Sequence, residues 1–388
     1  MKDVSKIADS IKPSGIRKFF DIVSEMPDAI SLGVGEPDFE TPWHVVDEGI
    51  YSLERGKTFY TSNSGLKELR QEICKWYGRK YNVKYEPESE SIITVGGSEG
   101  IDLALRALLN PGDEVIIPEP CYVSYVPCAA LAGGVPVTID LKNENHFKLT
   151  AEELEAAITE KTKVLILSFP NNPTGAVMSR EDLLPIAELC RKHDIYVISD
   201  EIYSALTYSE QGHFSIGALP DMKERTIIVN GFSKAYAMTG WRLGYALAPE
   251  KIAKLMTKIH QFCIMCAPTT SQYAAIEAVK NGDKDIAVMR KSYDERRRFL
   301  YKRLNDMGMP AFEPMGAFYI FPSIQRFGMT SDEFATELLK QQKLAVVPGN
   351  AFGDSGEGFI RISYAYSIDR LREAMDRIEQ FISTGDFK

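Results

Sequence analysis

Short apolar runs alternate with longer amphipathic stretches through the middle of this chain. Ser91–Val95 (SIITV) has the β-rich, continuously apolar character of a buried strand, and Glu99–Leu109 has helical spacing. Glu114–Pro118 predicts the next strand, and Thr150-Ala-Glu-Glu153 is a capping box that opens a helix to about Ile158. Lys163–Ser168 predicts a strand that runs into the loop PNNPTG. Ser179 then precedes an amphipathic helix to about His193, and Ile195–Ser199 predicts a strand ending at Asp200. Thr226–Val229 and Arg242–Leu247 complete the series of strand-like runs. Such alternation predicts an α/β domain whose mostly parallel sheet is buried under helices on both faces.

From about Lys280 the texture changes. A long charged helix, Met289–Met307, leads to a strand at Ala317–Phe321. A helix capped near Ser331 and a strand at Leu344–Val347 follow. Another apolar strand, Phe359–Tyr364, precedes a closing helix, Ile368–Ile382. This is an α+β pattern, and it predicts a smaller C-terminal domain.

The 388 residues leave ample material for a buried core. A net charge of −9 gives no reason to expect nucleic-acid or anionic-membrane partners. No apolar run approaches a membrane span, and MKDVSKIADSIKPSG lacks the apolar core of a signal peptide, so the expectation is a cytoplasmic protein. Cys263 and Cys266 have CxxC spacing, but no second pair or His pair accompanies them. The six cysteines therefore read as buried free thiols, with no metal site.

Five segments offer chemistry. Lys234 follows an apolar strand, among Ser233, Ala235, Met238 and Gly240. A lone lysine is usually a solvated surface residue, but small and apolar flanks would desolvate this amine, lower its pKa and suit it to a Schiff base. The glycine-rich turn Gly96-Gly97-Ser98-Glu99-Gly100, between a strand and a helix, could present amides to a phosphate or could serve tight packing alone. Asn171-Asn172-Pro173-Thr174-Gly175 has the composition of a β-turn. Asp200-Glu201-Ile202-Tyr203 ends an apolar strand, where a carboxylate could simply cap the next helix. Arg361 lies on the apolar Phe359–Tyr364 run, where it needs either a structural salt bridge or a carboxylate ligand.

Taken in order, the phosphate turn, N-P-T-G, D-E-x-Y and S-K-x-x-x-x-T-G-W-R-x-G resemble the signature of the class I/II aminotransferases. These are fold-type I enzymes that use pyridoxal 5'-phosphate. SGIRKFFD, LGVGEPDFETP, GAFYIFP and VVPGNAFG extend the resemblance over nearly the whole chain, toward prokaryotic aspartate and aromatic amino-acid aminotransferases. The resemblance implies a large cofactor-binding domain at 46–283 and a small domain at 284–388 joined by the N-terminal segment 1–45. It makes Lys234 the Schiff-base lysine, Asp200 the partner of the cofactor's ring nitrogen, and Asn172 and Tyr203 the partners of its 3-oxygen. Arg242, the amides of Ser98 and Glu99, Ser233, and Tyr60 from a second subunit fall to the phosphate. Tyr122 corresponds to a ring stacked on the pyridine, though core packing would also explain it. Gly35, Asn172 and Arg361 correspond to substrate-binding positions, Arg361 to the clamp on the α-carboxylate.

Two departures stand out. Lys258–Thr270 contains no arginine for a second substrate carboxylate, and Phe19, Phe20, Phe318 and Tyr319 offer aromatic surface instead, though core packing would explain them equally well. Gly231 stands where some relatives carry a phosphate-binding serine. What the resemblance implies is ping-pong transfer of an amino group from an aromatic or aspartate-like L-amino acid to a 2-oxo acid such as 2-oxoglutarate. It also implies a homodimer with sites at the interface. A carbon–sulfur β-lyase on the same fold is the alternative, and a non-catalytic regulator is the remote one.

Overall fold

The computed structural model describes residues 2–13, 26 and 28–385; Phe19, Phe20 and the rest of SGIRKFFD lie outside the described residues. The strands, in chain order, are β1 (Ile30–Ser31), β2 (Ser91–Thr94), β3 (Glu114–Glu119), β4 (Val135–Asp140), β5 (Thr162–Ser168) and β6 (Tyr196–Asp200). They continue with β7 (Thr226–Gly231), β8 (Gly244–Leu247), β9 (Tyr319–Ile320), β10 (Leu344–Ala345), β11 (Val347–Pro348) and β12 (Ile360–Ser363).

Seven of them form one sheet in the order β2-β8-β7-β6-β5-β3-β4. The neighbours β4, β3, β5, β6 and β7 are parallel, while β8 is antiparallel to both β7 and β2. The centre of the sheet is buried on both faces, so β6 and β7 are continuously apolar over Val197–Ile198 and Ile227–Val229. The chain leaves β2, β3, β5, β6 and β7 at one edge, and the reversed β8 enters from that same edge. Open α/β sheets bind ligands at this carboxyl edge.

A second, smaller unit follows the helix Asp283–Asp306. Its sheet runs β11-β12-β9, flanked by the helices Ser331–Gln342 and Ile368–Thr384. Tyr293, Phe318, Phe334, Leu338, Leu371 and Ile378 share its core. The N-terminal β1 pairs in parallel with β10, Ile30 opposite Leu344, which stitches the start of the chain to this unit.

Several elements differ from the sequence expectation. The helix after β2 opens at Gly96 rather than Glu99, so the glycine-rich turn is its first turn. Arg242 is not in a strand: it takes a φ of 51° in the turn ahead of β8. The predicted strand Leu344–Val347 divides at Val346 because its halves pair with different partners, β10 with β1 and β11 with β12. The long charged helix starts at Asp283, where acidic residues in the first turn favour the helix dipole. Helices Trp43–Glu54, Lys67–Tyr81, Glu250–Cys263 and Thr269–Asn281 have no counterpart in that expectation. Cys74, Cys121 and Cys190 are buried thiols, but Cys263 is exposed and Cys266 half-exposed, because the helix ending at Cys263 turns its last residues to the surface.

Candidate active site

Lys234 sits in the connection between β7 and β8, three residues beyond the end of β7. Its Nζ donates to the carbonyl of Gly35 at 2.5 Å and faces the rings of Phe318 and Tyr203, 5.8 and 6.0 Å from their centroids. Burial, helped by the nearby Arg361 and Arg242 and opposed by Glu36, lowers the pKa of this amine to about 8. The segment carrying Gly35 is sewn to this connection. Thr239 donates to Glu36, Thr41 donates to the carbonyl of Ala237 at 2.6 Å, and Trp241 Nε1 donates to Thr41 Oγ1 at 3.1 Å.

Around Lys234 opens a pocket of about 750 Å³. At one end lies the first turn of the helix Gly96–Leu108, with Gly97 and Ser98 in the wall. A helix opening at Gly96 leaves the amides of its first turn without intrahelical acceptors, so those of Gly97 and Ser98 are free. Gly96 has a φ of 75°, and a Cβ there would stand 2.6 Å from Nη2 of Arg242. Glycine at 96 therefore lets that guanidinium close on the turn. Arg242 and Ser233 complete this end of the wall. Gly231 is absent from it; a Cβ there would meet the backbone of Leu243 and Gly244 at 3.1 Å, which accounts for glycine by strand crowding.

β6 contributes Asp200 to the lining. Asp200 is buried, accepting from the Tyr125 hydroxyl at 2.7 Å and from the amide of Ile202 at 3.1 Å. Burial raises its pKa, and the tyrosine hydrogen bond opposes the rise. Among the described residues no basic side chain pairs with it, which leaves the carboxylate available to a cationic ring nitrogen. Tyr203 is buried with its hydroxyl 2.8 Å from that of Tyr319. Tyr122 also lines the pocket.

Asn171 and Asn172 divide their work. Asn171 closes its own turn, its Oδ1 accepting from the amide and hydroxyl of Thr174 at 3.1 and 2.8 Å. Asn172 faces the pocket, its Oδ1 accepting from Arg361 Nη1 at 2.8 Å. The bonds Phe169–Pro170 and Asn172–Pro173 are both cis. Arg361, on β12, is 2% exposed, and its Nη2 donates to the carbonyl of Gly33. Its Nε has no partner, and among the described residues no carboxylate pairs with this guanidinium. The salt-bridge alternative for Arg361 thus has no partner in the structure.

Two expected residues stay outside. Glu99 is absent from the wall: its amide comes after the free turn, and its carboxylate accepts from the amide of Val95 at 2.5 Å and pairs with His260 at 2.7 Å. Tyr60 is 82% exposed and does not enter the pocket of its own protomer. Tyr125, Glu36 and Thr239 had not been expected. Tyr125 lies three residues after Tyr122 in CYVSY, the one hint the sequence carried for it.

The pocket fits a group that combines phosphate, aldehyde and basic ring nitrogen. Free amides with Arg242, a buried acid that no basic side chain pairs among the described residues, and a low-pKa lysine share its lining. The chain belongs to the class I and II aminotransferases, whose family pattern matches residues 27–378. It is 53% identical to a putative aminotransferase, YugH, of Bacillus subtilis (strain 168), over 98% of each chain. To an aspartate aminotransferase of Pyrococcus abyssi it is 48% identical, covering 96% of this chain and 97% of the relative. The solved structure of an aromatic aminotransferase from Pyrococcus horikoshii OT3 superposes with a TM-score of 0.90 at 45% identity, covering 94% of this chain and 98% of that one. The protein is accordingly a fold-type I aminotransferase dependent on pyridoxal phosphate, with small amino and 2-oxo acids as substrates. No helix among the described residues is long and apolar enough to cross a membrane.

Proposed function

We propose that this enzyme moves an amino group from an aromatic or aspartate-like L-amino acid to 2-oxoglutarate, in two half-reactions that share one pocket. The observation that carries this reading is the convergence on one pocket of three cations that have no acidic ion-pair partner among the described residues, Lys234, Arg242 and Arg361, beside the buried Asp200. Bound pyridoxal phosphate supplies an electron sink for the charge left when the substrate's Cα loses its proton.

The chain supplies the rest. Lys234 is the covalent attachment point, and once displaced by substrate its amine is the base that takes the Cα proton and the acid that returns it. A pKa of about 8 suits both tasks near neutral pH. Asp200 holds the proton on the ring nitrogen, and Tyr203 with the free amide group of Asn172 holds the 3-oxygen. Tyr122 covers the ring. Ser98, Ser233 and Arg242 hold the phosphate, and Gly97 replaces Glu99 as the second amide donor. Arg361, steadied by Asn172, clamps the substrate α-carboxylate beside Gly35.

The working unit in this proposal is a homodimer. Phe59, Tyr60, Phe262, Ile264 and Met265 are exposed on adjoining segments, which the hydrogen bonds from Thr269 to Phe59 and from Asn63 to Met265 hold together. A second copy covering this face would bury it and bring Tyr60 to the neighbouring phosphate site. The division into 46–283 and 284–388, with 1–45 joining the latter, and a cytoplasmic location belong to the same proposal.

The test is a panel of amino acids with 2-oxoglutarate, following glutamate formation and the absorbance of bound cofactor. Glutamate with a cofactor spectral change on donor addition is the expected result, and the best donor defines the class. Cofactor binding without glutamate, but with pyruvate from a β-substituted substrate, would replace the transferase reading with a β-lyase.

A further inference from the structure

The motif Val346–Gly353 (VVPGNAFG) has no part in the site as described, yet it ends against Arg361. β11 pairs with β12 so that Val347 lies opposite Arg361, and the chain then folds into a tight turn, Gly349–Phe352. A Cβ at Gly349 would come 2.1 Å from the carbonyl of Gly356, so only glycine allows the turn to stack so closely. The turn delivers Phe352, 2% exposed, whose carbonyl accepts from the amide of Cys121 at 2.9 Å. Phe352 is thereby fixed to the residue preceding Tyr122. Its ring meets Phe321 edge-on at 6.5 Å, and its centroid lies 4.7 Å from Cζ of Arg361. Tyr319 stands 4.5 Å from the same atom.

A guanidinium has five N–H donors and an obligatory charge, and burying it without an anion is costly. Here two donors reach neutral oxygens, of Asn172 and Gly33, and Nε reaches none. What offsets the buried charge is the electron-rich faces of two rings. We propose that Phe352 is a positioning residue for substrate binding. It holds the Arg361 cation in place by its ring face, which leaves the position of the carboxylate partner open for the substrate. A carboxylate in the role of Phe352 would hold the arginine equally well but would compete with every substrate. This inference rests on reading Arg361 as the α-carboxylate clamp.

The holoenzyme with Phe352→Leu keeps an apolar side chain there and loses the π face, while Phe352→Tyr retains it. Two probes separate the ends of a substrate: 3-phenylpropionate carries the carboxylate without the amine, and 2-phenylethylamine the amine without the carboxylate. For Phe352→Leu, 3-phenylpropionate binding should weaken and the amino-acid KM should rise by about threefold to thirtyfold, the range of a desolvated cation–π contact. The kcat and the rate of cofactor spectral change with 2-phenylethylamine should hold, and Phe352→Tyr should bind both probes as the parent does. Unchanged 3-phenylpropionate binding in Phe352→Leu, or an equal loss in Phe352→Tyr, would overturn the proposal. If the leucine variant does not fold, pentafluorophenylalanine at 352 reverses the ring's field at nearly constant volume, and undiminished carboxylate binding then overturns it. Arg361→Lys tests the underlying reading separately. Loss of carboxylate binding there but not in Phe352→Leu rejects the role of Phe352 alone; no loss in Arg361→Lys rejects the clamp itself.

Discussion

Tyr125 gives its hydroxyl proton to Asp200 across 2.7 Å, and the hydroxyl of Ser168 stands 2.8 Å behind it. Among the described residues Asp200 has one other donor, the amide of Ile202. Burial works against an ionised carboxylate here, and the Tyr125 hydrogen bond counters it most, ahead of the Ile202 amide and the charge of Lys234. Tyr125→Phe preserves the packing and removes the donor, so Asp200 should be harder to ionise. Hydrogen bonds to charged groups are worth about 1.5–3 kcal/mol, so cofactor affinity should fall roughly tenfold or more. A titration of cofactor-free protein, followed by absorbance or fluorescence, measures this. An unchanged dissociation constant would mean that Tyr125 matters only for packing.

Lys234 carries its catalytic readiness as a stability cost. Its pKa is depressed from 10.5 to about 8, so below pH 8 the folded protein holds a buried ammonium that the unfolded chain would solvate. Between about 8 and 10.5 the unfolded chain binds the extra proton, and stability rises with pH as the penalty disappears. Cofactor-free Lys234→Ala should therefore be more stable than its parent at pH 7, by about 1–3 kcal/mol after allowance for the lost Gly35 hydrogen bond. The gap should close above pH 8. Urea midpoints at pH 7 and pH 10 decide it, and a less stable variant at pH 7 would contradict the depressed pKa. The same substitution should abolish turnover; substantial remaining activity would overturn the role given to Lys234.

Arg361 takes a neutral oxygen from Asn172 where most buried arginines take an acid. Asn172→Asp supplies that acid from within. The new carboxylate should pair with the guanidinium and make substrate displace it, raising the amino-acid KM about tenfold or more, the scale of one charge-assisted hydrogen bond. Thermal stability should not fall. Steady-state kinetics with the best donor provide the check; an unaltered KM would place the substrate carboxylate elsewhere.

Three of the expected residues stand at or just after the end of an apolar strand, closely enough for local spacing to single them out. Lys234 comes after β7, Asn172 after β5, and Asp200 closes β6 itself. Tyr125 and Tyr319 lacked that advantage. Tyr125 meets Asp200 across 75 positions, and Tyr319 meets Tyr203 across 116, so only the folded sheet brings them together. Glu99 erred for a different reason, since placing the helix start three residues late made a paired amide look free. β4 escaped notice because, at the sheet's edge, Val135 and Thr138 are exposed and the apolar run is broken. The large helices Lys67–Tyr81 and Glu250–Cys263 are polar over most of their surface, and their buried stripes, such as Leu69, Ile73 and Trp76, are narrow.

Tyr60 offers the sharpest test of the dimer, because a residue that serves the neighbouring site can be complemented. It is 82% exposed and far from any role in its own pocket. Tyr60→Phe should weaken phosphate binding in every site of a homodimer, by about tenfold or more for one hydrogen bond to an anion. Lys234→Ala should inactivate every site. In a mixed dimer, one pocket inherits both changes and the other inherits neither, since its lysine comes from the Tyr60→Phe chain and its tyrosine from the Lys234→Ala chain. At cofactor concentrations that leave the Tyr60→Phe homodimer largely empty, mixing the two variants in equal amounts after reversible dissociation should restore activity toward about a quarter that of the parent, since half of the dimers are mixed and each has one intact site. Activity that merely averages the two homodimers would show that Tyr60 serves its own subunit or none.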